Sequence, residues 1–327
     1  MFRLRREPAV FRLREALRPL KLLGLAVPTL LGGCAMNGVT FMAPEGPIAA
    51  MQRYHFWQVT AISMIVVLPV LIGVPILIWR YRYGNTKARY TPHWDFSHSL
   101  EWLMWLVPAA IVLVLGAILW IDTHELDPYK PLASTKPPLQ VEVVGLDWKW
   151  LFIYPEYHIA TVGEMAIPKD RPVSLKLTTD TVMQSFMISA LAGQIYAMPG
   201  MVTKMHLIAD RVGHYDGDNT QYSGEGFHGQ HFTAVSMGKG DFDAWVKKAQ
   251  TFGTALNPMA YNRLAVSSTP AQVRATFGNT AMPPHVTFFN DVPSGFFKKI
   301  VMRYHHGKPV PADQQPGTAA YNAKYSG

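Results

Sequence analysis

The sequence predicts a two-span transmembrane α-helical hairpin carrying an exported all-β sandwich or barrel, with a small, aromatic-rich, partly helical C-terminal region. Three observations carry that reading. Two long uncharged apolar runs stand early in the chain, a basic leader precedes them, and short alternating runs punctuated by Pro and Gly follow. The 327 residues are 49% hydrophobic and only 16% charged, against about 25% charged in an ordinary soluble domain. Mean hydropathy of +0.07 lies between that of a polytopic membrane protein and that of a soluble enzyme. The single Cys excludes a disulfide scaffold and any site that needs two thiolates from this chain. The net charge of +8 is unevenly spread: residues 1–33 hold seven basic and two acidic side chains, leaving +3 (23 basic, 20 acidic) for residues 34–327. No nucleic-acid partner is therefore expected.

Residues 1–33 read as a signal peptide: a basic segment to Lys21, an apolar stretch over 22–31, then Gly32 and Gly33. Leu31-Gly32-Gly33-Cys34 resembles a bacterial lipobox, which makes Cys34 the expected lipidation site and first residue of the mature chain. The alternative is an incidental thiol.

Residues 34–122 hold the lipidated N-terminus and the hairpin, with spans over about 56–79 and 102–121. Tyr54 to Trp79 contains no Asp, Glu, Lys or Arg, and Trp102–Ile121 is a second uncharged run of twenty residues. Each crosses a hydrocarbon core of about 30 Å at 1.5 Å per residue. Pro69 and Pro75 fall inside the first, a tolerated feature of membrane helices. The connecting loop carries Arg80, Arg82, Lys87 and Arg89 against Asp95, which places it in the cytoplasm of a bacterial inner-membrane protein and both mature ends on the periplasmic side. Trp57, Trp79, Trp102 and Trp120 mark the four span ends.

Residues 123–138 read as a Pro-rich linker. Strands are then predicted over Leu139–Gly145, Trp148–Tyr154, Val173–Thr178, Gln184–Ser189, Val202–Ala209 and Phe232–Met237, the all-β domain covering 139–240. Val173, Leu175 and Leu177 alternate with polar neighbours, the period of a half-buried strand. In the aromatic-rich region 241–306, Asp241 is the expected N-cap of a helix over 242–250, with Phe242, Trp245, Val246 and Ala249 on one face. Further helices are expected over Met259–Val266 and Ala271–Phe277, and 307–327 is expected to be a disordered tail.

Asp147-Trp148-Lys149-Trp150 followed by Tyr154 and Tyr157, the Tyr196-Ala197-Met198-Pro199-Gly200 turn, and Glu101 ahead of Trp105 and Pro108 occur in this order along the chain. Together with the layout they resemble subunit II of haem–copper terminal oxidases over nearly the whole mature chain. The resemblance implies a cupredoxin-like fold for the exported domain. Copper-bearing members carry an upstream His and a Cys-x-Glu-x-Cys-x-x-x-His-x-x-Met run. The corresponding positions here are Gln184, Ser223, Glu225, Phe227, His231 and Ala234, so only Glu225 and His231 keep their identity. Without bridging thiolates a copper pair has no suitable donor set. The pattern Tyr222-Ser223-Gly224-Glu225-Gly226-Phe227 resembles the bo-type ubiquinol oxidase branch, as does the aromatic-rich region that follows.

The resemblance implies subunit II of a proton-pumping ubiquinol oxidase, in which quinol is oxidised and oxygen reduced to water. This chain would be a capping subunit with no metal or redox centre of its own. Haems and copper are expected in a partner subunit I, with subunits III and IV, membrane lipid and quinone as further partners. Glu101 is a candidate entrance to a proton pathway, the alternative being an interfacial carboxylate. In the aromatic segment Trp148, Trp150 and Tyr154, the two tryptophans are read as core and subunit-interface packing in preference to an electron path. His228 and His231, with His214 nearby, are read as loop histidines in preference to a metal site. Two other classes remain open at this point: a copper-bearing cytochrome c oxidase subunit II, and a membrane-anchored cupredoxin-like binding or assembly lipoprotein.

Overall fold

The computed structural model describes residues 40–89, 91–278 and 280–324, so the leader and Cys34 lie outside the described residues. Helix α1 (Pro47–Arg80) and helix α2 (His98–Glu125) are the two predicted spans. Both exceed the expected 56–79 and 102–121. The 34 residues of α1 extend about 51 Å at 1.5 Å per residue, well beyond a hydrocarbon core. The surplus has a packing cause: Ile48 lies on the core of the β domain and Ala49 is fully buried. Helix α2 likewise runs to Glu125, into the segment expected as linker. Elsewhere the helices present large apolar side chains outward, Leu71, Ile78, Leu113 and Trp120 among them, as a lipid or partner-subunit environment requires. At the end nearest the β domain, His55 Nδ1 meets the Asp122 carboxylate and ties α1 to α2.

The β domain is a two-layer sandwich. Its longer strands are β1 (Leu139–Leu146), β2 (Lys149–Tyr154), β5 (Val173–Thr179), β6 (Gln184–Ile188), β8 (Thr203–Leu207) and β10 (His231–Met237), each close to its expected place. Interleaved are β3 (Ile159–Val162), β4 (Glu164–Pro168), β7 (Ala192–Ala197) and β9 (Gly213–Asn219), with β11 (Thr254–Ala255) and β12 (Thr287–Asn290) contributed from beyond residue 240. The strand orders are β11-β12-β3-β2-β1-β5-β8 and β4-β10-β9-β6-β7.

Trp150, Phe152, Phe186 and Phe232 fill the space between the sheets, with Phe186 and Phe232 stacked at 5.1 Å. The larger sheet is buried on its other face as well. There Leu146, Leu151 and Ile153 pack against Phe289, Phe296 and Ile300 of the C-terminal region. Burial on both faces is why β2 is buried at every position instead of at alternate ones.

The C-terminal region contains α3 (Lys239–Phe252), α4 (Pro258–Leu264), α5 (Pro270–Phe277) and α6 (Phe296–Met302). Phe242, Trp245, Val246 and Ala249 are the buried face of α3, as their spacing predicts. The N-cap, however, is the extended Gly238. Asp241 lies inside the first turn, where its charge suits the helix dipole without capping it. The segment from 307, expected to be disordered, is laid against the domain through residue 324. Pro316 is buried, Tyr321 packs on the second core, and its hydroxyl donates to the Asn262 carbonyl at 3.0 Å.

Strand directions fix which end of the sandwich faces the spans. Glu45 N donates to Ala190 O and Asp210 N to Glu45 O, so the β6–β7 turn and the end of β8 lie beside the start of α1. β1 and β5 run away from that end in parallel, and β8 returns to it. Leu146, Thr179, Gln184 and Ala197 therefore mark the far end, about 13–23 Å away at roughly 3.3 Å per residue.

Candidate functional site

At that far end a closed circuit of amides and hydroxyls links β6, β9 and the start of β10. Gln184 is fully buried. Its amide donates to the Leu146 carbonyl at 3.1 Å and the Thr181 hydroxyl at 3.2 Å. Its carbonyl oxygen accepts from Gln230 Nε2 at 2.6 Å. Gln230 is also fully buried, and its Oε1 accepts from Asn219 Nδ2 at 2.9 Å and Ser223 Oγ at 3.1 Å. Asn219 Nδ2 donates to Ser223 Oγ at 3.1 Å, while Asn219 Oδ1 accepts the Ser185 N–H at 2.9 Å. Every amide hydrogen in the circuit has an acceptor, the condition under which a buried polar cluster adds rigidity instead of cost. Gly145 is required here, since a Cβ on it would stand 2.5 Å from Gln184 Oε1.

Of the candidate ligand positions, Gln184 and Ser223 belong to the circuit and the others do not. His231 points away with 64% of its side chain exposed. The cause is strand parity: Gln230, Phe232, Ala234 and Ser236 share the inward face of β10, so His231 falls on the outward one. Its Nδ1 donates to Asp218 Oδ1 at 2.6 Å and its Nε2 to the His228 carbonyl at 2.6 Å. With an acceptor at each nitrogen, led by Asp218, the imidazolium is favoured and its pKa is raised. Ala234 is buried in the core, Glu225 is exposed, and the Phe227 ring lies against Tyr222 at 5.8 Å. Gln230 and Asn219 were missed by sequence reasoning, because which of Gln230 and His231 turns inward depends on register.

Trp148, expected in a strand, is instead the second residue of the β1–β2 turn, in left-handed conformation at φ 66°. Its indole lies over the glycine pair: a Cβ on Gly226 would stand 2.1 Å from Trp148 Cδ2, and Gly224 itself has φ 113°. The Gly-x-Gly spacing is thus a seat for that ring. Trp150 and Tyr154 are core residues. Trp150 meets Phe186 edge-on at 5.2 Å, and the Tyr154 hydroxyl donates to Ala166 O at 2.9 Å.

Two buried charges fasten the C-terminal region beside the circuit. Asp180 is fully buried and accepts from Tyr261 Oη at 2.6 Å, Tyr304 Oη at 2.7 Å and Arg303 Nη1 at 2.8 Å. Burial pushes its carboxyl upward, and these donors pull it back. Lys149 is fully buried with its ammonium on the carbonyls of Asp147, Val266 and Ser268 and on the Ser268 hydroxyl, at 2.9–3.2 Å. Desolvation pushes it down to about 7.

Glu101 occupies the first turn of α2 with its side chain exposed. No group of three or more metal-ligating side chains comes together among the described residues. The donor set of the circuit, amides and hydroxyls already turned on one another, does not fit a copper pair.

The family profile described as cytochrome c oxidase subunit II, periplasmic domain, matches residues 159–231, which span β3 to the first residue of β10. Cytochrome bo(3) ubiquinol oxidase subunit 2 of Pseudomonas aeruginosa is 43% identical over 289 residues, covering 88% of this chain and 82% of that protein. The chain belongs to the ubiquinol oxidase subunit 2 family. Ubiquinol oxidase subunit 2 of Acetobacter aceti is 40% identical, covering 89% of this chain and 90% of that protein. Quinol oxidase subunit 2 of Bacillus subtilis is 34% identical, covering 81% and 83%. As a ubiquinol oxidase subunit 2, the chain is one subunit of a respiratory oxidoreductase complex, a two-helix membrane protein bearing a cupredoxin-like domain. Its relationship to that complex implies a subunit I partner and quinol as the substrate of the assembly.

Proposed function

We propose that this chain is the copper-free capping subunit of a proton-pumping quinol oxidase in a bacterial inner membrane. Its β domain lies on the periplasmic side, and haems and copper reside in subunit I. Subunits III and IV complete the assembly, and Cys34 carries lipid. Electrons enter from membrane quinol without passing through this domain. Glu101, at the cytoplasmic start of α2, feeds protons toward subunit I. The observation that carries this reading is the closed Gln184–Gln230–Asn219–Ser223 circuit, which fills the positions implied for two copper ligands with amides and a hydroxyl already turned on one another. The test is to purify the complex through this chain, quantify haem and copper, and compare oxygen uptake with a ubiquinol and with reduced cytochrome c. Quinol-driven uptake, with copper no higher than subunit I alone accounts for, is expected. Two further copper atoms per chain, or uptake driven by cytochrome c alone, would overturn it.

A further inference from the structure

The C-terminal region holds a pocket of about 750 Å³ between α4, α6 and the turn at 308–314. That volume is in the range of sites that enclose a small organic ligand. Its apolar lining includes Phe296, Met302 and Val310, with Tyr261 and Ile300 almost wholly buried beneath and the Tyr261 and Phe296 rings meeting edge-on at 5.0 Å. The Tyr261 hydroxyl is turned away onto Asp180 at 2.6 Å. Around the mouth stand Lys299, Arg303, His306 and Lys308, and no Asp or Glu lines the pocket. The Arg303 charge is matched by Asp180 behind it, but among the described residues no hydrogen bond or ion pair engages the side chains of Lys299 or Lys308. An apolar floor under an unbalanced basic rim is complementary to an amphiphile with an anionic head.

Placement and backbone chemistry narrow the occupant. Arg303 and Tyr261 reach the pocket from Asp180, which follows the last residue of β5 at the end of the sandwich remote from the spans. We take the aqueous phase as the source of the ligand, and label on the spans in the test below separates it from bilayer lipid. No strand residue lines the pocket, so a peptide finds no sheet edge to extend. Pro258, Pro293, Pro309 and Pro311 in its walls offer no N–H. We infer that this pocket binds a small amphiphilic carboxylate, its apolar body on Phe296, Met302 and Val310 and its head held by Lys299 and Lys308.

The test uses the assembled complex in native membranes and two photoreactive probes of equal length, a diazirine-bearing ten-carbon carboxylate and the matching amine. Cross-links are mapped by mass spectrometry, and label on the two spans normalises for partitioning into lipid. The carboxylate should label residues 293–314 in excess over the amine by about tenfold, the factor one charge-assisted hydrogen bond supplies. Excess decanoate should compete that label away, and Lys299→Gln/Lys308→Gln should remove it. Should that pair prevent assembly, Lys308→Gln alone, on an exposed turn, serves instead. Equal labelling by the two probes, label confined to the spans, or unchanged labelling in the variant would overturn the inference.

Discussion

Gln230 donates its side-chain amide to the Gln184 carbonyl oxygen at 2.6 Å, and both residues are sealed from solvent. The contact joins the residue before β10 to the first residue of β6, across the end of the sandwich remote from the start of α1. The amide pair ties β6 to the turn that leads into β10, a link that backbone pairing between those two strands does not supply.

Gln230→Ala should weaken the domain. The substitution strips partners from Gln184 Oε1 and Asn219 Nδ2 while leaving both buried. Each unsatisfied group costs about 1–3 kcal/mol, and a domain of this size loses about 2–4 °C in Tm per kcal/mol. Thermal unfolding of the purified complex, followed through this chain, should show a drop of several degrees. Gln230→Glu keeps the shape but puts an acceptor against the Gln184 carbonyl, and it should be at least as damaging.

Gly226→Ala should displace the Trp148 indole, because the added methyl would lie 2.1 Å from Cδ2. Overpacking of this kind costs about 1–3 kcal/mol. Released from its seat, the ring becomes more accessible, so increased quenching of tryptophan emission by acrylamide is expected. Ala at Gly240, where a Cβ meets nothing within 4 Å, is the control that should leave the emission unchanged.

These positions show how far the sequence could be read. The spans were legible because lipid demands uncharged length, and β5 because Val173, Leu175 and Leu177 alternate with polar residues, although the structure buries Ser174, Thr178 and Thr179 as well, instead of leaving the strand half-exposed. β9 (GHYDGDN) has no apolar period; backbone pairing to β10 and β6 makes it a strand, and no side-chain signal announces it. Trp148 read as strand because aromatic residues favour sheets, yet the two-residue turn needs a left-handed residue there. That the donor positions implied by the resemblance hold Gln184, Ser223, Phe227 and Ala234 is read from residue identity alone. That Gln230 takes the inward place beside Gln184 depends on a one-residue register that composition does not encode.

His231 should titrate above an ordinary histidine, because Asp218 and the His228 carbonyl both accept from its ring. A raised folded-state pKa means the pair contributes stability below the unfolded value of about 6.5. That contribution is lost as pH rises through the raised folded value. Asp218→Asn should return the histidine toward its ordinary pKa and flatten this slope. NMR titration of the His231 ring in the full chain reads the first effect, and Tm against pH the second. A titration identical in wild type and Asp218→Asn would show that the contact is not made in solution.

Glu101→Ala should slow turnover of the assembled oxidase without removing its haems. Arg80 at the end of α1 and Arg82, Lys87 and Arg89 before α2 support the proposed placement of this end on the proton-supplying side. Glu101 sits in the first turn of α2 with its side chain exposed. In the proposed role this carboxylate takes protons from solvent and passes them toward subunit I. Glu101→Gln removes the titrating group while keeping the side chain's size, and it should slow turnover as the alanine does. His98→Ala, one turn earlier on the same helix, is the control expected to match wild type. Oxygen consumption with excess quinol measures all three, and haem content confirms assembly. If both Glu101 variants keep pace with wild type in fully assembled complex, the proton-entry role is wrong and Glu101 is only an interfacial carboxylate.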